Sequence, residues 1–370
     1  MYFAQPPRRV LIISLRFLGD ALISSMMADG IKRQWPQCQV DFLVYEGMQG
    51  VLAGNGCVDT VLTLPPRAKP MERMRLLVGL WRSYDLALTA QSGDFPHQVL
   101  WAAARQRIGA LPENPQHAWW KKRSAPRSVA ELPHEHIASR CARVMRQAGV
   151  QAALQVRVPQ TSTVHANGSQ NLQATPVLQN YAVLNPCARW AYKRWHSAGW
   201  LALVQHLQAK GLSVAITGGS TEFEKQYLDT LFEAVPGLVR LDGQLSFAQS
   251  AQVLAGARLY VGPDTFTTHL AAACGTATVA LFGPTDPRIW GPLRQVPEGQ
   301  QAVEQHYLAA QALQKKDNTW LLQNTHATCV PCQQEGCDRH ANSASRCLDE
   351  MPAEQVIRAV DEILGLNRLK

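Results

Sequence analysis

The sequence predicts an α/β protein of two doubly wound domains, and three observations carry that prediction. Short runs rich in Val, Ile and Leu alternate with segments of helical spacing along nearly the whole chain. This is the pattern of parallel strands joined by crossover helices. One stretch, residues 160–180, breaks the alternation; it is rich in Ser, Thr, Asn and Gln and reads as a linker. The length, 370 residues, exceeds what one core of ordinary size organises. The expected division is a domain over 1–160, a linker over 161–180, a second domain over 181–350 and a closing helix over 351–370.

Taken in order, RRVLIISL is a buried strand, and residues 21–35 follow with the apolar spacing of a helix. QVDFLVYEG and VDTVLTLP are the next strands, residues 71–81 a helix, and YDLALTA a further strand. Past the linker the series resumes with YAVLNP, the helix WLALVQHLQAKG, the strand LSVAITGG, a helix over 222–234 and the short strand LVRLDG. The helix FAQSAQVLAGA, the strand RLYVG, the helix THLAAACG and the strand ATVALFG complete it. A last helix over 353–364 gathers Val356, Ile357, Val360, Ile363 and Leu364 on one face. Doubly wound folds bind ligands outside the carboxyl ends of their strands, so the two domains are expected to face a central crevice.

No apolar run approaches the roughly 18–20 residues that cross a bilayer. Arg8 and Arg9 precede only a short apolar run before Arg16 and Asp20, the pattern of a first strand rather than a signal peptide. The expectation is a cytoplasmic protein with mostly reduced cysteines. The net charge of +8 is uneven: residues 1–150 hold 19 Lys and Arg against 11 Asp and Glu, and residues 151–370 hold 17 of each. Such a basic half points to an anionic partner, nucleic acid or a membrane surface, or else is a plain solvated face.

Four loops after strands carry chemistry. LRFLGDAL has only Gly19 where a dinucleotide fingerprint needs three glycines, so that reading fails. It places Asp20 at a helix start instead, either as a functional carboxylate or as a partner of the helix dipole. LNPCARWAYKRW crowds Arg189, Lys193 and Arg194 into one connection, a fork and mobile point charges suited to a diphosphate. ITGGSTEFEK opens its helix with Glu222, a carboxylate that either accepts ribose hydroxyls or simply caps. PDTFTTHLAAA sets Asp264 and Thr265 at a helix N-terminus, where backbone N–H groups meet anions, with Thr268 and His269 one turn on. A lone helical His is usually a satisfied core residue; here its hydroxyl neighbours favour a ligand contact.

The ordered set RVLIISLRFLGDAL, NPCARWAYKRW and PDTFTTHLAAACGTATVALFGPTDPRIWGP resembles glycosyltransferase family 9, the ADP-heptose:lipopolysaccharide heptosyltransferases. CARWAYKRW and the late CVPCQQEGC are most similar to its heptosyltransferase III branch. The resemblance covers nearly the whole chain. It implies a GT-B architecture of two Rossmann-like domains, with acceptor on the first and nucleotide sugar on the second. It further implies an inverting transfer to the lipopolysaccharide inner core with no required cofactor or metal, in keeping with the lack of an Asp-x-Asp pair. By the resemblance Asp20 matches the general base, Lys193 a phosphate ligand and Glu222 the ribose carboxylate. Asp264, Thr265 and His269 match diphosphate and sugar contacts. Cys187 and Ala188 stand where some members carry two Thr, which removes those hydroxyls. The acceptor, lipid A–Kdo–heptose, is anionic. HAWWKKRSAPRS, with Lys121, Lys122, Arg123 and Arg127 beside two Trp, then reads as an attachment to the inner face of an anionic inner membrane. No nucleic-acid motif accompanies it. Another nucleotide sugar, or a catalytically silent sugar-nucleotide binder, stays open as an alternative.

Cys329, Cys332, Cys337 and Cys347 give C-x2-C-x4-C-x9-C, with His326 and His340 nearby. Structural zinc, packed thiols and disulfides are the three readings. Four thiolates would leave zinc no open position for catalysis.

Overall fold

The computed structural model describes residues 5–114, 119–151, 156–160, 178–293 and 307–365. Most of the expected linker, residues 161–177, lies outside them, as does His117 of the basic segment. The described residues fall into two compact units, 5–160 and 178–365.

The first unit runs β1 (Arg9–Ser14), α1 (Leu18–Gln34), β2 (Gln39–Tyr45), β3 (Thr60–Leu64), α2 (Pro70–Gly79) and β4 (Tyr84–Thr89). It continues with α3 (Asp94–Ala103), β5 (Ala104–Leu111), α4 (Trp119–Ser124), β6 (Arg127–Ala130) and α5 (Ile137–Gln147). Its strands lie in the order β3-β2-β1-β4-β5-β6, all parallel. α1 and α5 pack together on one face, and α2, α3 and α4 form the layer on the other. On that second face Leu76, Leu77 and Phe95 close over Leu11, Ile13, Leu43 and Ala87. The strand order reverses between β1 and β4, so the loops leaving those two strands flank the gap where such folds take ligands.

The second unit comprises β7 (Tyr181–Leu184), α6 (Ser197–Ala209), β8 (Ser213–Ile216), α7 (Glu222–Phe232), β9 (Leu238–Arg240), α8 (Phe247–Gly256) and β10 (Leu259–Pro263). Next come α9 (Phe266–Ala273), β11 (Thr278–Phe282), α10 (Pro287–Trp290), β12 (Leu313–Lys316), β13 (Thr319–Gln323), α11 (Arg346–Asp349) and α12 (Ala353–Leu364). The order is β12-β13-β11-β10-β7-β8-β9, with β12 the antiparallel edge. The reversal here lies between β7 and β10. α12 forms where its periodicity predicts and packs on α6, burying Val356 and Val360 with Trp200 and Leu203 in one core. His206 of α6 meets Asp361 of α12 at 2.6 Å. Trp195, fully buried, stacks edge-on against Trp200 and donates its indole N–H to the Met351 carbonyl. This ring needs glycine at 199, because a Cβ there would sit 2.3 Å from it. The basic loop leaving β7 is thus anchored at its far end to the root of α12.

Candidate active site

At the β1/β4 reversal of the first unit, three residues separate the end of β1 from the start of α1, and Asp20 occupies its first turn. The side chain is almost wholly buried, with the half-exposed Arg16 guanidinium 4.0 Å away. A helix start favours the charged carboxylate. Gln91, just past β4, accepts the Leu15 N–H at 2.8 Å and so ties the two flanking loops together. Its amide nitrogen is buried without a hydrogen-bond partner among the described residues. Buried donors are ordinarily satisfied, so this amide N–H is available to an oxygen of a bound ligand or water. Gln91 escaped the sequence reading, which weighed the loop after β1 but not its companion after β4.

At the β7/β10 reversal of the second unit, a short 3-10 turn, Ala191–Lys193, delivers Lys193 to the end of β10. Its ammonium lies 2.6 Å from Asp264 Oδ2, and His269 Nε2 lies 3.6 Å from Asp264 Oδ1. Burial alone would raise the Asp264 pKa; Lys193 and His269 outweigh it and hold the carboxyl well below the usual carboxylate range. The carboxylate therefore stays ionised and orients the Lys193 ammonium and the His269 ring rather than meeting an anion itself. An ammonium has three donors; the Asp264 carboxylate and, at 3.5 Å, its carbonyl accept two, so Lys193 keeps one for a ligand. His269 Nδ1 is buried with no hydrogen-bond partner among the described residues, and the Thr265 hydroxyl is buried without a well-formed one. Thr265 is the N-cap of α9, whose first N–H groups lack intrahelical acceptors. A lysine ammonium, a helix start and orphaned polar atoms converge on one strand end, which suits an anionic, hydroxyl-bearing ligand.

Other expected residues fall elsewhere. Thr268 is fully buried and turned toward the sheet, donating to the Pro263 carbonyl and pairing with the Tyr260 hydroxyl. One helical step separates it from His269 and sets it on the core side. Arg189 is exposed, with its guanidinium over Trp190 at 4.7 Å. Arg194 donates to the Ala188 carbonyl and lies over Phe223 and Tyr227, so it braces the loop. Cys187 and Ala188 are both buried, and burial pushes the Cys187 thiol up to about 12. Glu222 is exposed at the start of α7 and accepts from Gln226. Glu224 instead turns back onto Thr221 and the Gly219 backbone. Lys121, expected in a surface patch, is a correction: it is buried, 2.7 Å from both Asp94 and the Ser92 carbonyl. Its charge is neutralised locally at the end of β4.

All nine cysteines are free thiols, so none of the late four forms a disulfide. Cys347 is buried and its thiol pushed up to about 12, by burial first and then by Cys332, Cys329 and Cys337. Among the described residues no group of three or more His, Cys, Asp or Glu side chains is arranged to hold a metal ion.

The model for "Glycosyltransferase family 9 (heptosyltransferase)" matches residues 73–321. Lipopolysaccharide heptosyltransferase 3 of Escherichia coli is 25% identical over 292 residues, covering 75% of this chain and 84% of its own. A family 9 glycosyl transferase from Veillonella parvula superposes with a TM-score of 0.72 at 14% identity, over 97% of each chain. E. coli heptosyltransferase WaaC, solved with ADP, gives 0.68 at 20% identity, covering 96% of this chain and 99% of that one.

Proposed function

The chain belongs to glycosyltransferase family 9, and we propose that it moves a heptose from ADP-heptose to the inner core of lipopolysaccharide. In this reading the acceptor hydroxyl gives its proton to the Asp20 carboxylate as its oxygen bonds to the anomeric carbon. The bond from that carbon to the diphosphate oxygen breaks, and ADP departs with the electron pair. Attack from the face opposite the leaving group inverts the anomeric configuration. Gln91 would hold the acceptor by donating from its amide nitrogen, Nε2. Lys193, the first N–H groups of α9 and Arg189 would take up charge developing on the diphosphate, which is where preorganised donors accelerate most. His269 Nδ1 and Thr265 would meet the sugar or a phosphate oxygen, and Glu222 the ribose. Asp264 serves by fixing Lys193 and His269.

The observation that carries the proposal is the Lys193–Asp264–His269 set beneath α9, a cationic strand end with an unpartnered imidazole nitrogen. ADP is the expected nucleotide because the WaaC relative was solved with it. No cofactor or metal enters these steps, since the cations are side chains. The acceptor is lipid-linked, so the basic first unit would work at the anionic inner face of the inner membrane, as a peripheral protein. The test is incubation of the purified chain with ADP-heptose and isolated heptose-bearing inner core. Mass spectrometry should show one added heptose, NMR an inverted anomeric centre, and EDTA no loss of rate. Transfer only from a different nucleotide sugar, or an EDTA-sensitive rate, would overturn it.

A further inference from the structure

We infer that the outer face of the α2–α3–α4 layer is a docking surface for an anionic lipid bilayer, with α2 lying in the headgroup plane. α2 turns Leu76 and Leu77 inward to the core of the first unit. An ordinary surface helix would then show polar residues outward. Instead Met71, Met74 and Val78, at i, i+3 and i+7, share the outer face and are each more than half exposed. Trp81 follows at the helix end and meets Trp101 of α3 edge-on at 6.3 Å, and Trp119 opens α4 in the same layer. These three rings are also more than half exposed. Of the ten large apolar side chains exposed among the described residues, six lie on this layer. Scattered exposed apolar residues need no explanation, but a cluster does.

The charge around the cluster selects the occupant. Residues 66–82 carry five Arg and Lys against one acid, Glu72, whose carboxylate accepts the Lys69 backbone N–H. Lys122, Arg123 and Arg127 continue the exposed positive rim along α4 and β6. A second copy of the chain would set two such rims face to face, and they would repel. Anionic headgroups complement them, while Trp and Met side chains enter the acyl boundary and the long Arg and Lys stems reach back to phosphate.

This rests on the lipid-linked acceptor proposed above, and two readouts separate the claims. The first is sedimentation of the full chain with phosphatidylcholine vesicles, with or without phosphatidylglycerol. The second is turnover on a delipidated, soluble core acceptor. The wild type should sediment with anionic vesicles only. Met71→Ser, Met74→Ser and Val78→Ser combined should weaken that binding about tenfold or more. Arg67→Gln, Arg73→Gln and Arg75→Gln should weaken it as well, an effect that high salt reproduces on the wild type. None of the three apolar residues is buried, so the melting temperature and soluble turnover should stay at wild-type values. Vesicle binding as stated with no turnover keeps the surface and sinks the functional reading. Normal turnover with undiminished vesicle binding by the apolar triple variant sinks the surface alone. So does equal binding to neutral vesicles, or a wild-type dimer that the triple variant converts to monomer.

Discussion

The two units repeat one plan with different chemistry. Both reverse strand order beside their first strand, β1/β4 in one and β7/β10 in the other, and each bridges the reversal with a side-chain contact. In the first unit that bridge is neutral, the Gln91 side chain to the Leu15 amide, beside a buried carboxylate. In the second it is an ion pair, Lys193 to Asp264, under a helix start. A carboxylate with an amide suits a neutral hydroxyl that must lose a proton; a cation with a helix N-terminus suits a leaving anion. The difference teaches that one scaffold position can be fitted with a carboxylate and an amide or with a cation at a helix start, according to which side chains reach it.

The largest expected effect comes from deleting the first unit's carboxylate. Asp20→Asn should lower the transfer rate ~10²–10⁴-fold, the usual worth of a general base. A pre-steady-state assay within a few-fold of wild type would end the base assignment. Removing the second unit's cation comes next. Lys193→Ala should slow transfer by about 10²–10³ as well as weakening ADP, since it removes a donor to the leaving group; an unchanged ADP affinity by calorimetry would refute that role.

A smaller effect separates the units by acid. Asp264 has a folded pKa below its ordinary value of 3.8, so its contribution to stability is present above that value and is lost as pH falls through the folded one. Urea unfolding between about pH 5 and pH 3 should show stability falling with acid, and less steeply in Asp264→Asn. Equal slopes in the two proteins would mean the ion pair contributes nothing. The smallest effect belongs to Glu222, which is exposed and accepts a hydrogen bond from Gln226. Glu222→Gln should weaken ADP about fivefold, the net worth of one such hydrogen bond. The variant should no longer distinguish ADP from 2′-deoxy-ADP; if it still does, another group reads the ribose.

The second unit was the more legible half. Its strands YAVL, LYVGP and TVALF are buried along their whole length, so they read as apolar runs with turn residues between them. In the first unit β5 follows α3 without a turn, and its opening ARQR puts polar residues where a strand should look apolar. Periodicity therefore passed over it, along with α3, α4, β6 and α5. Helix phase was the other blind spot. The string DTFTTH shows hydroxyls and an imidazole together, but only the fold decides that Thr268 faces the sheet and His269 faces Asp264. Likewise the run KKR does not reveal that Lys121 turns inward to Asp94 while its two neighbours stay exposed. Gln91 carries no motif at all; only its place opposite Leu15 marks it.

The division of labour between the two reversals is tested most directly by titrating ADP into Asp20→Asn and Lys193→Ala in the calorimeter, with single-turnover transfer measured on the same preparations. The account predicts wild-type ADP affinity with lost transfer for the first variant, and weakened affinity with slowed transfer for the second. Weakened ADP binding in Asp20→Asn, or wild-type ADP binding in Lys193→Ala, would contradict it.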